Sequence, residues 1–291
     1  MDGRARGSGL RRCRGWCLNG IFSTLLVMID SHCHLASPQF AADVDEVIAR
    51  AAAAGVTRII VPATDLEDAP RALALAERQA GVFVAVGVHP CEAASLAEED
   101  WLARLAVWGR HEKVVAIGEC GLDYFHPPPD GMSWSNYKGR QAAFFRAQLA
   151  LAEDLGLPVV VHHRGEGCWA DVVAMVRERA GRVRAQFHCY LGDWAEAAPL
   201  VAEGHRISFT GVVTYKTAGA AAACAREAAA GSFFLETDAP YLAPVPHRGR
   251  RCEPAHLAAT AAFIASVRGV PVEELAARTA EATRAFFPRL V

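Results

Sequence analysis

Six residues of this chain are of the types that bind divalent cations and stand where they could do so jointly: His32, His34, Glu119, His162, His188 and Asp238. The first two close the run Met28-Ile29-Asp30-Ser31-His32-Cys33-His34, which follows an apolar stretch beginning at Leu25. Alternate residues of a strand point to the same side, so both imidazoles of a His-x-His pair can converge on one ion. The pattern recurs along the chain. Val114-Val-Ala-Ile-Gly118 runs into Glu119, Pro158-Val-Val-Val161 into His162, Arg184-Ala-Gln-Phe187 into His188, and Phe233-Phe-Leu-Glu-Thr237 into Asp238. Taken singly, each has an ordinary explanation: a chance pair of histidines, a carboxylate capping a turn, a satisfied core histidine. Their shared position at the C-terminal ends of separate strands makes them one candidate site.

The chemistry suits the set. Imidazoles bind borderline transition metals, and a carboxylate can bridge two ions about 3.5–4 Å apart. His32, His34 and Asp238 can hold one ion and His162 and His188 a second, with Glu119 bridging, so two divalent ions (Mg2+, Mn2+ or Zn2+) are expected. Water bound to them is acidified enough to become a hydroxide nucleophile near neutral pH. Asp238 is suited to orient that water and accept its proton, which makes Asp238 and Glu119 the candidate catalytic carboxylates. A second set is read as substrate contacts. Asp65 and His89 follow the second and third strands and face the same mouth, Tyr124 follows Glu119, and Arg164 and Arg248 could clamp phosphate oxygens bidentately. The two arginines read equally well as solvated loop charges. Asp123 either orients the site or fixes its loop, and His126, His205, His247 and His256 are read as surface or capping residues.

The elements that must hold these side chains alternate without a break. Strands are predicted over 27–31, 58–62, 82–87, 114–118, 158–162, 184–188, 206–210 and 233–237. Helices are predicted over 43–54, 68–80, 95–110, 137–155, 168–180, 193–203, 217–230, 253–268 and 272–287, from Ala/Leu/Arg/Glu-rich segments with a 3.6-residue period. Eight β-α units in strict alternation specify an α/β protein, a single TIM-type (β/α)8 barrel rather than an open sheet. Such barrels carry function at the C-terminal ends of their strands, where all six candidate ligands fall. Residues 25–291 are read as one hydrolase barrel. Residues 1–24, basic and poor in acids, are read as a disordered leader; no small-residue cleavage site separates them from the first strand, and Met28 would serve as the functional start.

Composition narrows the class further. The chain has 291 residues, 52% hydrophobic and 21% charged, which fits a well-cored α/β protein and excludes a fibrous or disordered one. No apolar stretch is long enough to span a membrane. Nine cysteines without Cys-x-x-Cys spacing suggest a reducing, cytoplasmic setting. Cys33 or Cys189 could ligate zinc, but small buried thiols are the simpler reading. The net charge is −2; the first 27 residues carry +4 and leave the barrel at −6. The body therefore lacks the basic stripe of a tight non-specific DNA binder, so a phosphodiester would have to be attracted by bound metal and a few local arginines.

These residues carry a family resemblance. The stretches Ile29-Asp-Ser-His-Cys-His-Leu35, Val86-Gly-Val-His-Pro90, Ala116-Ile-Gly-Glu-Cys-Gly-Leu-Asp-Tyr124, Pro158-Val-Val-Val-His162, Phe187-His-Cys-Tyr190, Leu235-Glu-Thr-Asp-Ala-Pro-Tyr-Leu242 and Arg248-Gly with Glu253-Pro254 come in the order seen in TatD-type metal-dependent deoxyribonucleases. That group is a branch of the amidohydrolase-like barrels, and the likeness covers essentially all of 28–291. It implies metal ligation by His32, His34, Glu119, His162, His188 and Asp238, and a nuclease acting on single-stranded DNA ends, with RNA as a further substrate. The chain departs from the family pattern after His162, where a Ser-Arg-Glu-Ala-like stretch is replaced by His163-Arg164-Gly165-Glu166-Gly167-Cys168, and at Cys252, where Asn is usual. Both departures bear on substrate preference, not on metal chemistry. Two other functions remain open on the residues alone. The same binuclear chemistry would hydrolyse amides, esters or lactones of small metabolites, and a non-catalytic metal-binding scaffold is the third reading, opposed by the intact Asp238. No obligate protein partner is expected.

Overall fold

The apolar runs that end in candidate ligands are strands, and they lie side by side in chain order. The computed structural model describes residues 26–97, 99–229 and 231–290, so the leader expected over 1–24 lies outside the described residues. Eight strands, β1 (Met28–Asp30), β2 (Val56–Pro62), β3 (Val82–Val86), β4 (Val114–Asp123), β5 (Val159–Arg164), β6 (Ala185–Phe187), β7 (Arg206–Phe209) and β8 (Phe233–Leu235), form one parallel sheet in the order β1 to β8. The Ser31 amide donates to the Leu235 carbonyl at 3.0 Å, which brings the last strand against the first and makes the sheet a barrel. Helices α1 (Val44–Ala53), α2 (Asp68–Arg78), α3 (Trp101–Trp108), α4 (Trp134–Leu155), α5 (Cys168–Arg177), α6 (Trp194–Ala202), α7 (Gly219–Glu227), α8 (Leu257–Arg268) and α9 (Val272–Phe286) surround it. This is the (β/α)8 architecture that the alternation predicts. No single described helix is long and apolar enough to cross a membrane.

Several boundaries differ from the sequence-based expectation for identifiable reasons. The helix predicted from 95 starts at Trp101, because the carbonyls of Ala93 and Leu96 accept from the Arg140 guanidinium of α4 instead of extending a helix. The helix predicted from 253 starts at Leu257, after a 3-10 turn over Pro254–His256 in which Glu253 and His256 cap each other. The helix predicted over 217–230 contracts to α7, and that predicted to 180 ends at Arg177. Strands β4 and β5 run further than predicted, so Glu119 and His162 lie within strands rather than at their ends. Gly121 makes this possible: its φ is 139°, and a Cβ there would come within 2.0 Å of the His162 carbonyl oxygen. Only glycine lets the two backbones approach that closely beside the site.

An apolar floor and a polar layer fill the barrel below the site. Ile29, Ile60, Phe83, Val160 and Phe234 form one buried cluster with Phe286, Phe287 and Leu290 from the end of the chain. The last three plug the N-terminal end of the barrel, with the Phe234 and Phe287 rings 5.8 Å apart. Each buried phenyl ring contributes about 1.5–3 kcal/mol relative to leaving it exposed. Above this apolar floor, Gln186 Nε2 shares its two hydrogens among Ser31 Oγ (2.9 Å), Ser208 Oγ (3.0 Å) and Glu236 Oε2 (3.1 Å). Ser208 Oγ donates to the same Glu236 oxygen at 2.7 Å. This polar layer joins strands β6 and β7 to the segments just after β1 and β8, and it lies one or two residues before the candidate ligands His32, His188 and Asp238.

Candidate metal centre

All six predicted ligands meet above the polar layer. Glu119 lies between two groups of donors, one facing each carboxylate oxygen. Its Oε2 is 3.4 Å from His32 Nε2 and 3.6 Å from His34 Nε2. Those two nitrogens are 3.2 Å apart, and Asp238 Oδ1 stands 3.5 Å from the first and 3.3 Å from the second. On the other side, Glu119 Oε1 is 2.9 Å from His162 Nδ1 and 2.9 Å from His188 Nε2, which are themselves 3.3 Å apart. His89 joins this second group, with Nε2 3.6 Å from Glu119 Oε1, so the structure brings a residue predicted as a substrate contact into the centre.

Backbone geometry aims these groups. Asp238 has φ 56°, in the left-handed region, and its amide donates to the His32 carbonyl at 2.9 Å. Asp and Asn tolerate that conformation better than most residues, which fits a carboxylate held by backbone rather than by a regular element. Asp30 ties the first strand to the same loop: its carboxylate accepts from the Thr237 amide at 2.9 Å and the Thr237 hydroxyl at 2.6 Å. The His188 ring stacks on His32 at 4.1 Å between centroids.

Asp123, for which the sequence left two roles open, orients the site. Its Oδ2 lies 2.9 Å from His162 Nε2, on the ring edge opposite the nitrogen that faces Glu119. A histidine that ligates a metal through one nitrogen almost always donates through the other, commonly to a carboxylate, and this fixes the tautomer. Glu236 supports the opposite side, 4.0 Å from His188 Nδ1 and accepting from the Cys189 amide at 2.5 Å. The signal for Asp30 and Glu236 was present as spacing, since each precedes a ligand by two residues. For Asp123 no spacing carried it.

The electrostatics are those of ionised carboxylates among imidazoles. Burial pushes the Glu119 carboxyl up, but His188, His32 and His89 outweigh it and hold the carboxyl well below its usual range. Asp238 is likewise lowered, burial being overcome by the His34 hydrogen bond and the nearby imidazoles. Burial lowers His34, yet its hydrogen bond to Asp238 and the Glu119 charge raise it to about 9. His162 also rises to about 9, against burial, through Asp123 and Glu119. His32 falls to about 4, by burial first and then repulsion from His188. Two carboxylates thus draw positive charge into a buried site, and protons supply it where no cation does.

The donor set fits divalent cations. Two donors each about 2.0–2.2 Å from one ion lie roughly 2.9–3.6 Å apart, depending on the coordination angle. The nitrogen and oxygen distances around both Glu119 oxygens, from 2.9 to 3.6 Å, fall in that interval. Two imidazole Nε2 atoms 3.2 Å apart beside Asp238 Oδ1 also make a spacing that a shared cation suits. Cys33 is buried and Cys189 half-buried, and neither belongs to the groups of converging donors among the described residues. Cys33 Sγ points to the Ala239 carbonyl and Cys189 Sγ to Thr210 Oγ1.

The remaining predicted contacts are spread around the mouth. Asp65 is turned to another use: its Oδ1 accepts from the amides of Glu67 (2.8 Å) and Asp68 (2.7 Å) and caps the start of α2. The Tyr124 hydroxyl donates to Asp171 at 2.7 Å, beneath the Lys138 ammonium. Arg164 stacks on Phe125 at 4.1 Å and Arg248 on Tyr215 at 4.4 Å. Both guanidiniums are exposed, and neither has a carboxylate partner among the described residues. Of the histidines read as ordinary, His205 Nδ1 accepts from the Ala185 amide, His247 stacks on His256, and His126 Nδ1 meets Asp123 at 2.9 Å.

Known proteins share this barrel and much of its sequence. A family model described as TatD related DNase matches residues 29–288. The uncharacterised metal-dependent hydrolase YabD of Bacillus subtilis is 36% identical over 265 residues, 90% of this chain and 99% of YabD. The 3′-5′ ssDNA/RNA exonuclease TatD of Enterobacter lignolyticus is 37% identical over 267 residues, 89% of this chain and 98% of that protein. Among solved structures, the TatD homologue YjjV from Escherichia coli K12 matches with a TM-score of 0.81 at 31% identity, covering 91% of this chain and 99% of YjjV. Matched by that family model over most of its length and by relatives at 36–37% identity, the chain belongs to the TatD family of metal-dependent hydrolases.

Proposed function

We propose that this protein is a metal-dependent phosphodiesterase that trims single-stranded DNA ends, and RNA ends as well, using two divalent ions held on either side of Glu119. The observation that carries the reading is the division of Glu119, whose two oxygens face separate nitrogen groups at 2.9 to 3.6 Å. The name of the Enterobacter lignolyticus relative, an exonuclease on single-stranded DNA and RNA, supports the choice of substrate. Exposed arginines without carboxylate partners at the mouth, Arg164 and Arg248, support it too, because guanidinium forks match phosphate oxygens.

Bound in this donor set, divalent ions would acidify a water toward neutrality and neutralise charge on phosphoryl oxygens. The protein's own groups do the rest. Asp238, 14% exposed against 3% for Glu119, is the carboxylate on the open side and takes the proton of the attacking water. Glu119 stays ionised and ties the two halves of the site together. Asp123 holds the His162 ring in one orientation. The arginines keep the strand in place while its terminal phosphodiester is presented. Seven free cysteines among the described residues support a reducing compartment such as the cytoplasm.

The test is a screen of the purified protein loaded with Mg2+, Mn2+ or Zn2+ against single strands labelled at the 5′ or 3′ end, beside ester and lactone probes. Stepwise release of mononucleotides from one end is the expected result. Turnover of the ester or lactone probes without any strand cleavage would replace the nuclease reading with a small-metabolite hydrolase.

A further inference from the structure

Beside the metal centre, between the β5–α5 and β6–α6 loops, lies a recess of about 300 Å³, at the lower end of the range for small-molecule sites. Among its lining residues are His163, Arg164, Trp169, Tyr190, Leu191 and Glu196. It adjoins the centre on two strands at once: His163 follows the ligand His162, and Tyr190 comes two residues after the ligand His188. The loop that forms one wall is the one in which the chain departs from the family pattern. Gly165 in that loop has φ 101°, and a Cβ there would lie 2.5 Å from the Tyr124 backbone, so the loop is pressed onto the end of β4.

The wall is aromatic. Trp169 packs 4.9 Å from His163 and 5.2 Å from Tyr190 between ring centroids. Leu191 is 52% exposed at the lip, an uncovered apolar side chain beside a polar site. His163 Nε2 is buried without a hydrogen-bond partner in the protein. In the tautomer that carries its proton on Nδ1, Nε2 is a lone-pair acceptor. A buried acceptor left unpaired is costly, so it marks a place where a donor is expected. The Glu196 carboxylate offers a second acceptor at the rim. Arg164, lying over Phe125 with no carboxylate partner among the described residues, stands at the edge of the recess facing solvent.

We propose that this recess is a base-binding subsite, which receives the nucleobase next to the phosphodiester being cut and selects bases that carry an exocyclic amino group. The aromatic wall takes the base face, since base–aromatic stacking needs no particular sequence. His163 Nε2 accepts from the amino group, while Arg164 holds the flanking phosphate. Cytosine presents an amino donor where thymine presents a carbonyl acceptor, so the two pyrimidines separate the hydrogen bond from ring size. The proposal rests on the nuclease reading of the metal centre and adds a preference to it.

Two measurements on the full-length, metal-loaded protein test it. Binding of dCMP and dTMP is followed by quenching of tryptophan fluorescence, with Trp169→Phe identifying the signal from the recess. Cleavage is compared on dC and dT homopolymers. A preference for cytosine of roughly 2- to 10-fold, the weight of one hydrogen bond, is expected in both. His163→Phe should erase the preference with metal content unchanged, and His163→Gln, which keeps an acceptor, should restore part of it. Equal binding of dCMP and dTMP, or a preference that survives His163→Phe, overturns the subsite. Should His163→Phe fail to fold, the His163→Gln protein and the Trp169→Phe quench decide the same question. Strand cleavage with no base preference would sink the subsite alone. A cytosine preference in mononucleotide binding without strand cleavage would sink the nuclease reading and leave the subsite standing.

Discussion

Asp123 and His162 are joined by a 2.9 Å contact between Oδ2 and Nε2, while the opposite ring nitrogen, Nδ1, lies 2.9 Å from Glu119. One imidazole is thus fixed from both edges, which holds its ring in one orientation before any ion arrives. Asp123→Asn should therefore weaken binding of the ion on the His162 side by about 10- to 100-fold and leave the His32–His34 side intact. Metal titration followed by elemental analysis reads both sides. Uniform weakening would mean that Asp123 acts on the fold of the loop rather than on the ring.

Glu119 faces both donor groups, so Glu119→Gln should weaken both ions together. The wild-type protein, saturated with Mn2+ or Zn2+, should approach two ions per chain. Loss of one ion with the other at full affinity would show that Glu119 serves a single site.

Asp238→Asn keeps the size of the side chain and one oxygen but removes the charge and the basicity. General-base assistance contributes about 10²–10⁴-fold, so turnover should fall by at least the lower figure while KM changes little. Near-normal turnover at full metal occupancy would move the proton acceptor elsewhere.

Metal loading and pH are coupled through His34 and His162. Both are raised to about 9 in the protein without metal, so both carry protons near neutrality. Ligation needs the neutral ring, hence metal uptake at pH 7 should release protons, and apparent affinity should climb as pH rises toward about 9. The sign for stability is the reverse. A folded-state value above the unfolded value of about 6.5 contributes stability below that pH, and the contribution is lost as pH rises through about 9. The chelated protein should therefore lose thermal stability between pH 6.5 and 9, whereas the loaded protein should not. Calorimetry in buffers of different ionisation enthalpy and melting curves with and without chelator measure the two effects. An absence of proton release would place the resting charge on other groups.

The floor of the barrel offers a prediction about stability alone. Phe287 is fully buried against Phe234 and Phe286. Phe287→Ala should cost about 3–5 kcal/mol in denaturant unfolding, by lost burial and the cavity left behind. Metal binding by the folded fraction should be unchanged, because the polar layer of Gln186, Ser208 and Glu236 separates the plug from the ligands. A parallel loss of metal affinity would show that the floor and the centre are coupled.

The residue types and their order along the chain were enough to single out six candidate ligands, eight strands and a barrel. That information is local. An apolar run of a few residues reveals a strand, and a polar group at its end reveals which side chains can leave the sheet together. The reading reached a candidate chemistry because imidazoles and carboxylates brought together by five strands of one barrel are hard to explain separately. It went astray where a backbone group had another partner, as at Asp65, whose carboxylate caps α2, and at Ala93 and Leu96, whose carbonyls accept from Arg140.

Tertiary structure alone decided the rest. His32 and Asp238 are neighbours only because β8 closes onto β1, and no periodicity encodes a distance between residues so far apart in sequence. The same closure decides which oxygen of Glu119 faces which histidines. It also turns Asp123 from an ambiguous loop residue into the partner of His162, through β4 and β5 running side by side past Gly121. The C-terminal phenylalanines read as the end of an amphipathic helix and become the floor of the barrel only once the bore exists to receive them. Local sequence sets which groups each strand can offer, while the closed sheet sets which of them meet, because only closure converts positions along a chain into distances across a site.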